Sequence, residues 1–295
     1  MEITLILLAL APAAAIVWYI YGRDKFEKEP RHLLVRAFFL GIFSIVPALI
    51  GSIFGESLGI GISANIWLTF VHAFFVVALC EEFAKYIFLR WFMFPRPEFN
   101  EPYDGIMYGV MVGMGFAAFE NVLYALQSGI ETTILRMFTA VPAHGAFGVI
   151  MGYYAGLAHI IPQKRNFLFL KGLLLATIAH GAYDFFLMQR NYEGLMLMTP
   201  VVLILSIRFS RRAIAYSQEI SPFNPKNQAI HQNTIAPEQQ VRDLLLNNAN
   251  DNQLTDNNNT QEQEREQGQI HTPIAKSIGD ADGRRPATPD QEDPL

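Results

Sequence analysis

Cysteine is nearly absent from this chain. Cys80 stands alone among 295 residues, which excludes an internal disulfide and a Cys-based zinc cluster. Charge is also scarce, at 17% of residues. No run of Lys and Arg is dense enough to suggest nucleic acid as a partner. No HExxH helix of the kind that holds zinc in many peptidases is present. Ahead of the first apolar run there is Glu2 and no Lys or Arg, the wrong charge for a secretory leader. That run is therefore read as an uncleaved first helix.

Apolar residues are abundant, at 51%, and unevenly placed. Twenty-two of the 23 phenylalanines and every Trp and Tyr lie before Ser217. The last 79 residues hold 13 acidic and 6 basic side chains, so the tail carries −7 and more than accounts for the net charge of −5. Asn- and Gln-rich, with Phe223 as its one aromatic residue, it has too little apolar surface to offset chain entropy. Two units are expected: a membrane body over 1–216 and a disordered polar tail over 217–295, with a short helix conceivable near Val241–Leu246.

A helix crosses a bilayer with about 20 mostly apolar residues. Seven segments qualify: 3–21, 33–54, 65–93, 103–126, 141–161, 167–189 and 192–208. The expected fold is all-α, a polytopic membrane protein of about seven transmembrane helices. With the N-terminus outside, the inner connections collect Arg23, Lys25, Lys28, Arg31, Arg90, Arg96, Lys164, Arg165, Lys171, Arg208, Arg211 and Arg212, and the outer ones only Arg136 and Arg190. That asymmetry predicts an N-out, C-in topology, with the tail in the cytoplasm.

Ionisable groups inside such segments cost a few kcal/mol or more and mark functional sites. Here they are Glu81, Glu82, Lys85, Glu120, His144, His180 and Asp184. Glu81 and Glu82 lie four and three residues before Lys85, so one ammonium can reach both carboxylates. Glu120 shares a helix face with Tyr124, and His180 shares one with Asp184. Gly181 is read as removing bulk beside the imidazole. Asp104 reads as a helix cap, and His72 and His159, without a carboxylate at helical spacing, as structural. Gly105, Gly109 and Gly113, with Gly148, Gly152 and Gly156, predict close helix contacts.

These residues fit hydrolysis, with a buried carboxylate taking a proton from water and an imidazole assisting. They also fit a divalent metal such as Zn, held by His144, His180 and Asp184 with a remaining Glu as base. A proton-coupled transporter or channel could use the same groups, and a catalytically idle scaffold is a third reading. Composition and spacing do not choose among these.

The motifs do point to a family. Asp24–Pro30 (DKFEKEP), Glu81-Glu82-Phe83-Ala84-Lys85, Asp104–Gly109 with Gly115–Asn121 and Tyr124, and His180–Asp184 occur in order on separate segments. Together they resemble the PrsW family of intramembrane proteases, relatives of the endopeptidases that process prenylated CAAX tails. The resemblance spans about residues 20–190 and does not include the Asn/Gln-rich tail. It implies an endopeptidase in the cell membrane, the plasma membrane of a bacterium, cutting a single-pass membrane protein, in some members an anti-sigma factor. It implies that Glu81 and Glu82 form the catalytic pair and that His180, assisted by Asp184, is the second essential group. Glu120 and His144 then complete the cavity. The family is classed with metalloproteases, while its CAAX-processing relatives suggest a glutamate mechanism.

Overall fold

A computed structural model describes residues 2–63, 65–189 and 192–230. Arg190, the expected helix at 241–246 and most of the polar tail lie outside these. Every regular element among the described residues is helical, so the all-α expectation stands. The helices are α1 (Glu2–Arg23), α2 (Arg31–Phe43), α3 (Ile45–Ser57), α4 (Ile66–Val71), α5 (Leu79–Phe88), α6 (Pro102–Phe138), α7 (Ala140–Ile160), α8 (Arg165–Leu187) and α9 (Thr199–Glu219).

Among the described residues five stretches are long and apolar enough to cross a membrane: 3–23, 31–57, 66–93, 102–138 and 193–219. The α7 and α8 helices have 21 and 23 residues, enough length for a bilayer. They are less apolar because they carry His144, His159, Lys171, His180 and Asp184. Leu7, Trp18, Phe39, Ile50 and Ile53 are among the large apolar side chains left exposed, as expected of surfaces that face lipid rather than water.

The centre of the body is α6. Its first half, Pro102–Ala118, is buried at every position, and it packs on α7 above all, then on α1 and α2. Glycine makes that packing possible. A β-carbon on Gly109 would lie 2.5 Å from the Gly148 carbonyl oxygen, and Gly105, Gly152 and Gly156 likewise meet backbone across the same interface. The two glycine series thus allow backbones to touch, as their spacing predicted. At the head of α6, Asp104 accepts from the backbone N–H groups of Asn100 and Glu101, 2.7 Å each, in a reciprocal cap with Glu101.

Two irregularities position the site. The rod from Ile66 to Met93 is not uniform: π-helical turns at His72–Ala78 and Leu89–Met93 bracket α5. Each widened turn shifts the helical register, and such turns recur at functional sites. The second irregularity is Gly129, whose φ of 77° and ψ of −165° break α6. Residues 130–138 fold back, so that Arg136 meets Glu120. In an unbroken helix those sixteen residues would separate the two by roughly 24 Å. The sequence reading ended this span at 126 and left Arg136 in an outer connection.

The last helix also departs from expectation. It runs to Glu219 rather than 208, and the Gln218 amide reaches the Arg23 carbonyl at the end of α1. Arg208, Arg211 and Arg212 therefore belong to the helix and not to a loop after it. Hydropathy could not extend the span through three arginines, whose long stems let the charged head reach out from an apolar helix.

Candidate active site

The α5 helix puts Glu81, Glu82 and Lys85 on its inner face. The Lys85 ammonium donates to Glu82 Oε1 at 2.8 Å and to Glu81 Oε2 at 3.3 Å, and lies 4.0 Å from the centre of the Phe116 ring. The two adjacent carboxylates are not equivalent. The Glu82 side chain is 1% exposed and the Glu81 side chain 12%, and only Glu81 of the two lines the cavity. That cavity holds about 260 Å³, and its walls include Glu120, Tyr124, Arg136, His144, His180, Tyr183 and Asp184.

Hydrogen-bond inventory fixes the histidines. An ammonium can only donate, so His144 Nδ1, 3.2 Å from Lys85 Nζ, accepts. Its Nε2 then carries hydrogen and donates to Glu120 Oε2 at 3.0 Å. His180 has a carboxylate on each side: Nδ1 is 2.9 Å from Glu82 Oε1 and Nε2 is 3.2 Å from Asp184 Oδ2. Glu81 Oε2 lies 3.9 Å from the same Nε2. Ionised carboxylates only accept, so both nitrogens of His180 are placed to donate. The ring stacks on Phe147 with centroids 4.9 Å apart and meets His144 edge-on at 5.0 Å.

All seven ionisable residues singled out from sequence converge, from α5, α6, α7 and α8. Arg136 was missed. It donates to Glu120 Oε2 at 2.7 Å and to Asn121 Oδ1 at 3.1 Å, and its guanidinium lies 3.8 Å from the centre of the Tyr124 ring. The one signal for it was Gly129 seven residues earlier, a position able to reverse the chain. Two smaller readings change. Gly181 makes room for the Phe74 ring, 2.5 Å from where its β-carbon would be, rather than for the imidazole. His72 gains a carboxylate after all, Glu56 from α3 at 3.6 Å, and both line the cavity. His159 packs against Phe94 and Phe99, the structural role expected.

The donor set can be tested against a metal. Glu81, His144 and His180 each offer an atom within 4.8 Å of the others, and two imidazoles with a carboxylate suit a divalent transition ion. Charge agrees. Four carboxylates (Glu81, Glu82, Glu120 and Asp184) face two fixed cations, Lys85 and Arg136. The remaining two negative charges match one divalent ion, or protons on an imidazole and a carboxyl. This converging set uses Glu81 where the sequence reading placed Asp184. Glu82 on Nδ1 would then orient His180 from behind, the usual carboxylate–histidine arrangement.

Comparison with known proteins gives the same direction. Residues 29–207 match the family described as PrsW family intramembrane metalloprotease. The chain is 36% identical over 199 residues to Protease PrsW of Geobacillus kaustophilus, covering 66% of this chain and 86% of that one. It is 35% identical over 179 residues to Protease PrsW of Bacillus subtilis, 60% and 80% of the two chains. With Protease PrsW of Clostridioides difficile it shares 31% over 218 residues, 70% and 88%. No solved structure matches.

Proposed function

Because this chain belongs to the PrsW family of intramembrane metalloproteases, and so is a multi-pass membrane protease, we propose that it hydrolyses a peptide bond of a single-pass membrane protein in the Glu81 cavity. The observation that carries this reading is the splitting of the acidic pair. Glu81 faces open space beside two imidazoles, while Glu82 is buried behind it and tied to Lys85 and His180.

In this reading Glu81 takes the proton from the attacking water, and a low-dielectric cavity suits a carboxylate acting as base. His180, poised to donate, stabilises the oxygen of the tetrahedral intermediate and then protonates the leaving nitrogen. Glu82 and Asp184 hold its ring in place. Glu120, fixed by Arg136 and His144, positions His144 at the cavity wall. A divalent ion, if held through lone pairs by Glu81, His144 and His180, would take the place of the His180 proton and would supply the polarisation of the scissile carbonyl and the acidification of water. The charge bias of the connections, which favours an N-out topology, supports a cut in the outer half of a bacterial plasma membrane. An anti-sigma factor is the substrate class that the resemblance suggests.

Reconstitution tests this against transport. Wild-type protein in proteoliposomes, with a single-pass substrate spanning the same bilayer, is expected to release two fragments resolved by mass spectrometry. Activity should stop on chelation and return with added Zn²⁺. An intact substrate, accompanied by a proton or solute flux that needs Glu120, would overturn the proposal in favour of a transporter.

A further inference from the structure

The catalytic cavity has a neighbour, and a break in the second apolar stretch creates it. Residues 31–57 form that stretch, divided at Ser44 into α2 and α3. The α2 half lies backbone to backbone against α6, with Gly41 at the Val112 carbonyl and Gly115 at the Phe38 carbonyl. At Ser44 the hydroxyl turns back to donate to the Gly41 carbonyl at 2.6 Å, and the α3 half changes partner. Gly51 admits Cys80 and Gly55 admits Val76. The Ser52 hydroxyl donates to the Val76 carbonyl at 3.0 Å, and Glu56 reaches His72. One face of α3 is thus seated on the rod from Ile66 to Met93. With α6 it shares a small apolar floor, Ile45 and Ala48 with Ala84 against Phe116.

The parting of α3 leaves the second half of α6 uncovered. Ala118 ends an unbroken buried run, and beyond it Phe119, Tyr124, Leu126 and Gln127 are exposed. Between the two helices lies a cleft of about 230 Å³. Leu49 and Ser52 line it from α3, and Gln127 lines it from α6. Glu81, Glu120 and Tyr124 line both this cleft and the catalytic cavity. The two spaces therefore meet at the reactive carboxylate.

A membrane-spanning substrate sets two demands on such a site. It must arrive sideways through lipid, and it must unwind at the cut, because a helix keeps every peptide group bonded within itself. Unwound backbone is tolerated at membrane depth only against protein or water that supplies new partners. The cleft answers both. It opens beside the exposed side chains of Leu49 and Tyr124, and the hydroxyls of Ser52 and Tyr124 and the Gln127 amide offer donors and acceptors within it. We propose that the transmembrane segment of the substrate enters from the lipid between α3 and α6 and is held there unwound, with the bond to be cut beside Glu81. This rests on the hydrolytic reading of the Glu81 cavity and adds the route by which a membrane-borne chain reaches it. Water comes from the other side, where the catalytic cavity is walled by Glu56, a largely exposed carboxylate.

The test places a benzophenone photocrosslinking side chain at position 49 or 127 of the full-length chain carrying Glu81→Gln, reconstituted with a single-pass substrate. Positions 7 and 178, where Leu7 on α1 and Ile178 on α8 are exposed away from the cleft, serve as controls. Irradiation should join the substrate to positions 49 and 127 and leave positions 7 and 178 at background. With Glu81 intact, Leu49→Trp should raise KM for the same substrate about 10-fold by overfilling the cleft, with kcat and melting temperature little changed. Wild-type cleavage, measured alongside, separates the two readings. If wild type cleaves while the substrate joins only positions 7 or 178, or positions 49 and 127 capture lipid alone, the route is overturned and hydrolysis stands. An unchanged KM for Leu49→Trp overturns the route in the same way. If wild type leaves the substrate intact, the hydrolytic reading fails and the route fails with it.

Discussion

Glu81→Gln is expected to lower cleavage of a membrane substrate by about 10²–10⁴-fold, the contribution of a positioned general base, while the protein accumulates normally. The amide keeps the shape of the carboxyl, and Lys85 retains its shorter contact to Glu82. Glu82→Gln should behave differently. Its carboxylate is the shared partner of Lys85 and His180, with 1% of the side chain exposed. Neutralising it leaves Lys85 with Glu81, at the longer distance, as its one carboxylate and with the neutral His144 Nδ1, and breaking a buried pair costs about 3–5 kcal/mol. Glu82→Gln should therefore be both inactive and less abundant, with a lowered melting temperature. Two adjacent residues of one motif are thus separable: one is lost from the chemistry, the other also from the fold. Equal abundance and equal melting temperatures for the two variants would contradict that division.

The second large effect is expected at Arg136. Its guanidinium bonds Glu120 and Asn121 and lies over Tyr124, so it pins the returning arm of α6 across the cavity wall. Arg136→Met leaves Glu120 with His144 and a distant Lys85, and frees the arm to move. A displacement on the order of 1 Å in such a site can cost about 10²-fold in rate. Arg136→Lys should rescue little, because a point charge cannot span both partners as the planar fork does. A positioning role predicts a fall in kcat with KM little changed. It also predicts that Glu120→Gln combined with Arg136→Met is hardly worse than either alone. Additive losses, or full rescue by Lys, would show that Arg136 acts independently of Glu120.

Much of this was legible in the sequence, for physical reasons. A charged group in an apolar span is expensive, so Glu81, Glu82, Glu120, His180 and Asp184 are conspicuous in the sequence itself. The glycine series on α6 and α7 announced their contact because only small residues let backbones approach. What stayed hidden depends on geometry that leaves no trace in hydropathy. The π turns around α5 add nothing to composition, so hydropathy does not show them. Gly129 looked like one more small residue, and its positive φ is what carries Arg136 back to Glu120. Charge patterning placed Arg208, Arg211 and Arg212 in a loop because it cannot tell a loop from a helix whose arginines reach out of the membrane.

The central claim is that water, activated in the Glu81 cavity, cleaves a peptide bond. Its most direct test is to incubate the reconstituted protein and a single-pass substrate in H₂¹⁸O and read the fragments by mass spectrometry. The account predicts one ¹⁸O in the new C-terminal carboxyl with wild type, and no labelled fragment with Glu81→Gln. Intact substrate with wild type, or the same labelled fragment from Glu81→Gln, would contradict it.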